Sequence, residues 1–290
     1  MKKILVTGAN GVIGSRVLKV LSGNSDLKII ATYNSNQNNI ENSPGIHLKQ
    51  ADLTKGINCD EKIDVVIHCA AAIPVSFDDT AVAEINKNID KNIINFSLEN
   101  KARLIYCSSS SVYNGKQGVW SEQDELNPGH PYSNEKLLSE KRIKEECSNY
   151  TILRINAPYH YTQKNNTVLK KFILNAVSGT DLILFGQGLR QQNFVHADDV
   201  ASLIQKMILI SNVTGTYNVG GDSNISMEDL AKMVIKLSNS NSKIVYAGVP
   251  DPNENSIPNL NTDSVKKDFN WHCRISLEEG IKEWISEIKK

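Results

Sequence analysis

Residues 4–14 read ILVTGANGVIG. Three apolar residues, Ile4 to Val6, run into Thr7, and glycines then recur at Gly8, Gly11 and Gly14. The residues that follow carry Val12, Ile13, Val17, Leu18, Val20 and Leu21 at helical spacing. The stretch therefore reads as buried strand, tight turn, helix. In such a unit the first glycine permits the turn, the second lets backbone approach a pyrophosphate, and the third lets the helix pack closely. The N–H groups at the helix start, from Asn10 and Gly11 through Val12, Ile13 and Gly14, are then candidate phosphate donors. The spacing is GxxGxxG rather than GxGxxG, and a purely structural glycine turn is the competing reading. Its position between a strand and a helix argues for phosphate.

Working outward, the same alternation recurs. LKIIATY, IDVVIHC and ARLIYCSS are further apolar runs, and Val82, Ile85, Ile89, Ile93 and Phe96 mark a helix between the last two. Continuous apolar strands joined by helices predict a parallel sheet covered on both faces. The fold class is thus α/β, a doubly wound parallel sheet of Rossmann type with a smaller C-terminal substrate lobe. Ligands bind at the carboxyl ends of such strands, where TGANG, CAAAIP and CSSSSVY fall. Residues 1–160 are expected to form the cofactor-binding domain, with 195–222 returning to it through GTYNVGG. Residues 161–194 and 223–290 are assigned to the substrate lobe. The Asn- and Ser-rich segment 35–43 and the proline-bearing segment 248–258 read as loops.

Composition narrows the partners. The chain has 290 residues, with 32 basic and 32 acidic side chains. That balance gives no electrostatic case for nucleic acid or an anionic membrane. No apolar run approaches the ~18 residues of a membrane span. The five cysteines lack CxxC spacing, and the six histidines lack ligand spacing, so no metal is expected. His68, inside a strand, reads as a structural histidine. A reduced, cytoplasmic protein is the expectation.

Two further motifs carry chemistry. In HPYSNEK, Pro131 suits a helix first turn, and Tyr132 and Lys136 then share one helix face. A cation beside a phenol favours phenolate, which makes a candidate proton donor or acceptor. Such a pair also occurs by chance on many helices. In CSSSSVY, a strand-end hydroxyl is placed to bond a substrate oxygen, although serine runs are commonly plain loops.

Taken together, TGANGVIG, the ADL at Ala51–Leu53, VVIHCAAAIP, NIDKN, SSSSVY, YSNEK, LRINAPY, FVHADDVA and TYNVGG resemble the extended short-chain dehydrogenase/reductases. These are NAD(P)-dependent nucleotide-sugar epimerases, dehydratases and reductases. The resemblance implies Ser109, Tyr132 and Lys136 as catalytic residues. It also implies cofactor contacts from Asp52 and Leu53, the Ala70–Ala71 backbone, Asn88, Pro158, and again Tyr132 and Lys136. A homodimer through the helices carrying Asn88 and Tyr132 is implied as well.

Departures from the family pattern refine the expectation. NAD-specific members end the second strand with an acid, whereas here the strand runs IIATYNSN and no acid follows until Glu41. No basic residue stands nearby in sequence either, so Tyr33, Asn34 and Ser35 could only hydrogen-bond a 2′-phosphate. NADP(H) is favoured over NAD(H). Dehydratases carry an Asp-Glu pair after the catalytic hydroxyl residue, but Ser110-Ser111 stand here, which argues against water elimination. The family's diphosphate-binding Arg is replaced at Gln192, with Arg190 as a possible substitute beside Ser110 for substrate contact. His160 replaces a usual glycine. The resulting expectation is an NADPH-dependent reductase of a keto sugar, nucleotide-linked. An epimerase retaining NAD is the alternative, and a non-catalytic NADP-sensing protein a third.

Overall fold

A computed structural model describes every residue except 42, 75–77, 115, 117, 211 and 212. Residue 42, in the segment read as a loop, lies outside the described residues. Strand and helix alternate through the first half. The strands are β1 (Lys2–Thr7), β2 (Leu27–Tyr33), β3 (Ile46–Gln50), β4 (Val65–His68), β5 (Arg103–Ser109) and β6 (Tyr150–Ile155). Between them run α1 (Val12–Leu21), α2 (Thr80–Asn100) and α3 (Pro131–Glu146). With the later strand Gly215–Val219 they form a seven-stranded parallel sheet, ordered Gly215–Val219, β6, β5, β4, β1, β2, β3. Strand order reverses beside β1, and the crevice at that switch point is where such sheets take ligands.

The period-2 pleat explains why these runs are apolar throughout. Ile4 and Val6, Ile29 and Ala31, Val65 and Ile67, Leu153 and Ile155 pack on one face. Leu5, Ile30, Val66, Leu104 and Ile152 pack on the other. The first face is covered by α1 and by α5 (Ala197–Leu209), through Val17, Leu18, Val200, Leu203 and Ile204. The second is covered by α2 and α3, through Ile93, Ile94, Phe96 and Ile143. Each such aliphatic side chain contributes about 1.5–3 kcal/mol when fully buried.

A separate core joins α4 (Val168–Val177), α6 (Met227–Ser238) and α8 (Leu277–Ile288), through Phe172, Leu230, Val234, Ile281 and Trp284. Three two-stranded pairs frame it: Leu182–Leu184 with Ile244–Tyr246, Gln191–Asn193 with Asn224–Ser226, and Pro158–Tyr159 with Val195–His196. One helix of the stretch 223–290 packs on the main sheet instead of this core. In and just after α7 (Asp263–Phe269), Val265, Phe269 and Trp271 insert beside Tyr217 in the core of the main sheet. Its apolar side chains cover the flank of the outermost strand. No helix among the described residues is long and apolar enough to cross a membrane.

Candidate active site

The glycine turn is sterically obligatory at two positions. Gly8 adopts φ +66°, and a Cβ there would lie 2.6 Å from Ala70 N. A Cβ on Gly14 would lie 2.2 Å from Gly8 O, so helix and turn are in backbone contact. Gly11 caps α1 in an extended conformation, without any side-chain cap. The first N–H groups of α1, from Val12, Ile13 and Gly14, have no intrahelical acceptor and remain for an anion. This is a cradle that fits a nicotinamide dinucleotide's pyrophosphate.

The other predicted cofactor residues are distributed around that turn. Ala70 N donates to Thr7 Oγ1 at 3.3 Å, which fixes the Ala70–Ala71 stretch beside Gly8. Asp52 follows β3 and accepts from Thr54 N, capping the short turn that begins at the buried Leu53. Tyr33 ends β2, and Asn34 and Ser35 are exposed beyond it. Pro158 lies in the two-residue strand beside Val195. Asn88, a cofactor contact implied by the resemblance, lies half-buried on α2. Its side chain donates back to Glu84 O, while Asn86 grips Ala72 through both its backbone N–H and C=O at 2.8 Å. The spacing Asn86, Asp90, Ile93, Ser97 marks the buried face of α2.

A basic residue absent from the local sequence arrives through the fold. Lys164 Nζ donates to Asn36 Oδ1 at 2.7 Å, three residues beyond the end of β2. Asn36 also receives Asn10 Nδ2. Asn39 donates to Asn10 O at 3.1 Å and to Thr162 O at 3.0 Å.

The candidate catalytic groups stand at the end of β5 and in the first turns of α3. Ser109 ends β5, and its Oγ accepts from Ser111 N at 3.1 Å. Ser109, Ser110, Arg190 and Gln192 all line one cavity of about 300 Å³, together with Trp120 and Asn156. Arg190 is ion-paired with Asp251 at 3.3 Å. Gln192 donates to Asn156 Oδ1 at 3.1 Å, and the buried Asn156 Nδ2 has no partner among the described residues. Pro131 opens α3, which puts Tyr132 in its first turn and Lys136 one turn below. Tyr132 is half-buried, and its ring meets His130 edge-on. Lys136 is buried and donates to Tyr106 Oη at 2.9 Å and to Asp90 Oδ2 at 3.2 Å.

The charges do not act as the pair alone predicts. Burial pushes the Tyr132 phenol above its ordinary range, against the pull of Lys136, and Asp90 and Cys107 push the same way as burial. Burial opposes charge on Lys136 too, but Asp90 and Tyr132 outweigh it and hold the ammonium charged. His68 is a satisfied structural histidine, bonded to Thr7 Oγ1 at 2.7 Å and to Asp90 at 3.0 Å, and burial keeps it neutral. A second buried pair braces α3. Arg154 on β6 forks onto Glu140, which also accepts from Ser108 Oγ at 2.6 Å.

The histidines also group in a way their spacing did not predict. His160, His196 and Glu283 offer ligand atoms within 4.8 Å of one another. Thr162 N donates to His160 Nδ1 and Asp198 N to His196 Nδ1. Those bonds leave the ring protons on Nε2, so the trio presents two N–H donors beside a carboxylate, a poor donor set for a metal.

The family follows from the glycine cradle, the Ser–Tyr–Lys set and the sheet order. A model of the NAD dependent epimerase/dehydratase family matches residues 4–220. The chain belongs to this family. It is of the extended short-chain dehydrogenase/reductase type. A dTDP-D-glucose 4,6-dehydratase from Dictyostelium discoideum is 28% identical over 82% of this chain and 62% of its own length. A UDP-N-acetyl-alpha-D-glucosaminuronate decarboxylase from Bacillus cytotoxicus is 27% identical over 99% of both chains. Among solved structures, UDP-glucuronic acid 4-epimerase from Bacillus cereus, in complex with UDP-glucuronic acid and NAD, shares the fold at TM-score 0.86. It is 24% identical, and 99% of each chain is covered. The dTDP-glucose 4,6-dehydratase from Bacillus anthracis, in complex with NAD, also gives TM-score 0.86, at 22% identity over 100% of this chain and 97% of its own.

Proposed function

We propose that this family member is an NADPH-dependent reductase of a keto sugar, nucleotide-linked as are the ligands named for its relatives. The observation that carries the cofactor choice is the end of β2. Tyr33, Asn34 and Ser35 bring no carboxylate to repel a 2′-phosphate, and Lys164 stands beside Asn36 to attract one. When bound, the nicotinamide supplies hydride. The chain's own residues do the rest. Ser109 bonds the carbonyl oxygen where negative charge develops. Tyr132 gives its phenolic proton to that oxygen, and Lys136 steadies the phenolate left behind. Gln192, Asn156 and Arg190 are the candidate contacts to the remainder of the substrate. A panel of nucleotide sugars incubated with purified protein tests this reading. Stoichiometric loss of NADPH absorbance supports it, and isomer exchange without net cofactor change overturns it.

A second reading, an epimerase that keeps its NAD, is favoured by the relatives solved with NAD and UDP-sugars. The nucleotide released on denaturing the purified protein separates the two. Elimination of water is disfavoured because Ser110 and Ser111 occupy the positions of an acid–base pair. The exposed Ile85, Leu98 and Leu138 on α2 and α3 fit a homodimer through those helices, and the mass in solution tests it.

A further inference from the structure

Behind Lys136 lies a charged cluster that the proposed proton transfer does not use. Asp90, on the buried face of α2, is fully enclosed. One carboxylate oxygen meets His68 Nε2 at 3.0 Å. The other meets Lys136 Nζ at 3.2 Å and accepts from Tyr106 Oη. The partners come from β4, β5 and α3, so these elements meet at the Asp90 carboxylate.

Two cations could balance that anion, and only one does. His68 is neutral because its burial opposes charge. Its second ring nitrogen faces Thr7 Oγ1, a hydroxyl, and brings no charge either. Lys136 is therefore the counter-ion, and its ammonium contacts both Asp90 and Tyr106. In a poorly screened interior, a charge so placed is felt beyond its nearest neighbour.

We propose that Asp90 is a positioning residue for proton transfer: its carboxylate fixes the Lys136 ammonium from behind and offsets the lysine's charge at Tyr132. The inference rests on Tyr132 and Lys136 being the proton-transfer pair. Its consequence is a resting phenol that holds its proton and is set to donate it, as reduction needs. Ionising that phenol for the reverse direction requires a further positive charge beside it. The groups acting on Tyr132 are Lys136 from its own helix, Asp90 from α2 and Cys107 from β5, with the His130 ring edge-on. Lys136 favours the phenolate, whereas Asp90 and Cys107 disfavour it.

The test is titration of phenolate absorbance, which needs neither sugar nor cofactor. Tyr132 is one of nine tyrosines, so each protein is read against its own Tyr132→Phe counterpart. In Asp90→Asn the Tyr132 midpoint should fall by about one pH unit, the lower end of what a nearby charge produces. Tyr106→Phe keeps both charges and should leave the midpoint near that of the parent protein. An unchanged midpoint in folded Asp90→Asn overturns the proposal. Should that variant not fold, Asp90→Ser is read in its place, with the same fall expected, and an unchanged midpoint overturns the proposal. Failure of the functional reading shows elsewhere, as turnover retained in Tyr132→Phe, and leaves this titration interpretable.

Discussion

Tyr132 and Lys136 were legible in the sequence because a four-residue separation puts two side chains on one helix face. Their electrostatics were not, because Asp90 stands 46 positions from Lys136 and reaches it only through the packing of α2 on α3. The predicted lowering of the phenol by its lysine gives way to burial, which raises it. Tyr132→Phe should still cut turnover by about 10²–10⁴-fold, the usual contribution of a positioned proton donor. Cofactor affinity, measured by fluorescence titration, should barely move. Asn86 makes the same point at shorter range. The family pattern points to Asn88, and the buried face of the helix carries Asn86 as well. Lys164 is a prediction of its own: Lys164→Ala should weaken NADPH binding about fivefold, as loss of one exposed charge contact does, and leave NADH binding unchanged. Equal loss for both nucleotides would remove the support for a 2′-phosphate site.

At the level of elements, the strands of the main sheet could be read because both faces are buried and each run is apolar from end to end. The two- and three-residue strands around the second core could not. Pro158–Tyr159 and Val195–His196 are too short to show a period, and they pair only because the chain brings them together. The Arg154–Glu140 fork ties β6 to α3 and so holds the helix that carries Tyr132. Both side chains are buried, so removing one strands the other's charge. Arg154→Met should cost about 3–5 kcal/mol in denaturant unfolding. A double variant replacing Glu140 by Leu as well should recover much of that loss, because no unpaired charge then remains.

Across the whole molecule, the seam between the main sheet and the second core is built from contacts that sequence order hides. Arg16 on α1 pairs with Asp198, and His160 and His196 lie against Glu283 of α8. Burial lowers His160 from 6.5 to about 3, and lowers His196 as well. The unfolded chain therefore binds more protons than the native one between those two values, and stability must rise with pH across that window. This contribution is complete above 6.5 and lost as pH falls toward 3. The thermal midpoint should drop on acidification below about pH 6.5, before most carboxylates titrate. His160→Asn should flatten that drop. An identical pH dependence in the variant would show that this histidine carries none of it.

The Asn39 side chain has a bearing on time rather than on affinity. It joins the segment after β2 to the phosphate turn at Asn10 and to the chain at Thr162, so one amide spans the edge of the dinucleotide cradle. A nucleotide entering across that edge would need these bonds to open. Residence would then depend on how fast the clasp opens as well as on the depth of the binding well. Releasing the clasp with Asn39→Ala should speed nucleotide entry and exit together in stopped-flow measurements, with little change in their ratio. A reductase must exchange its dinucleotide at every turnover, whereas an epimerase can keep it, so the opening rate of such a clasp would bear on the first of those and not on the second.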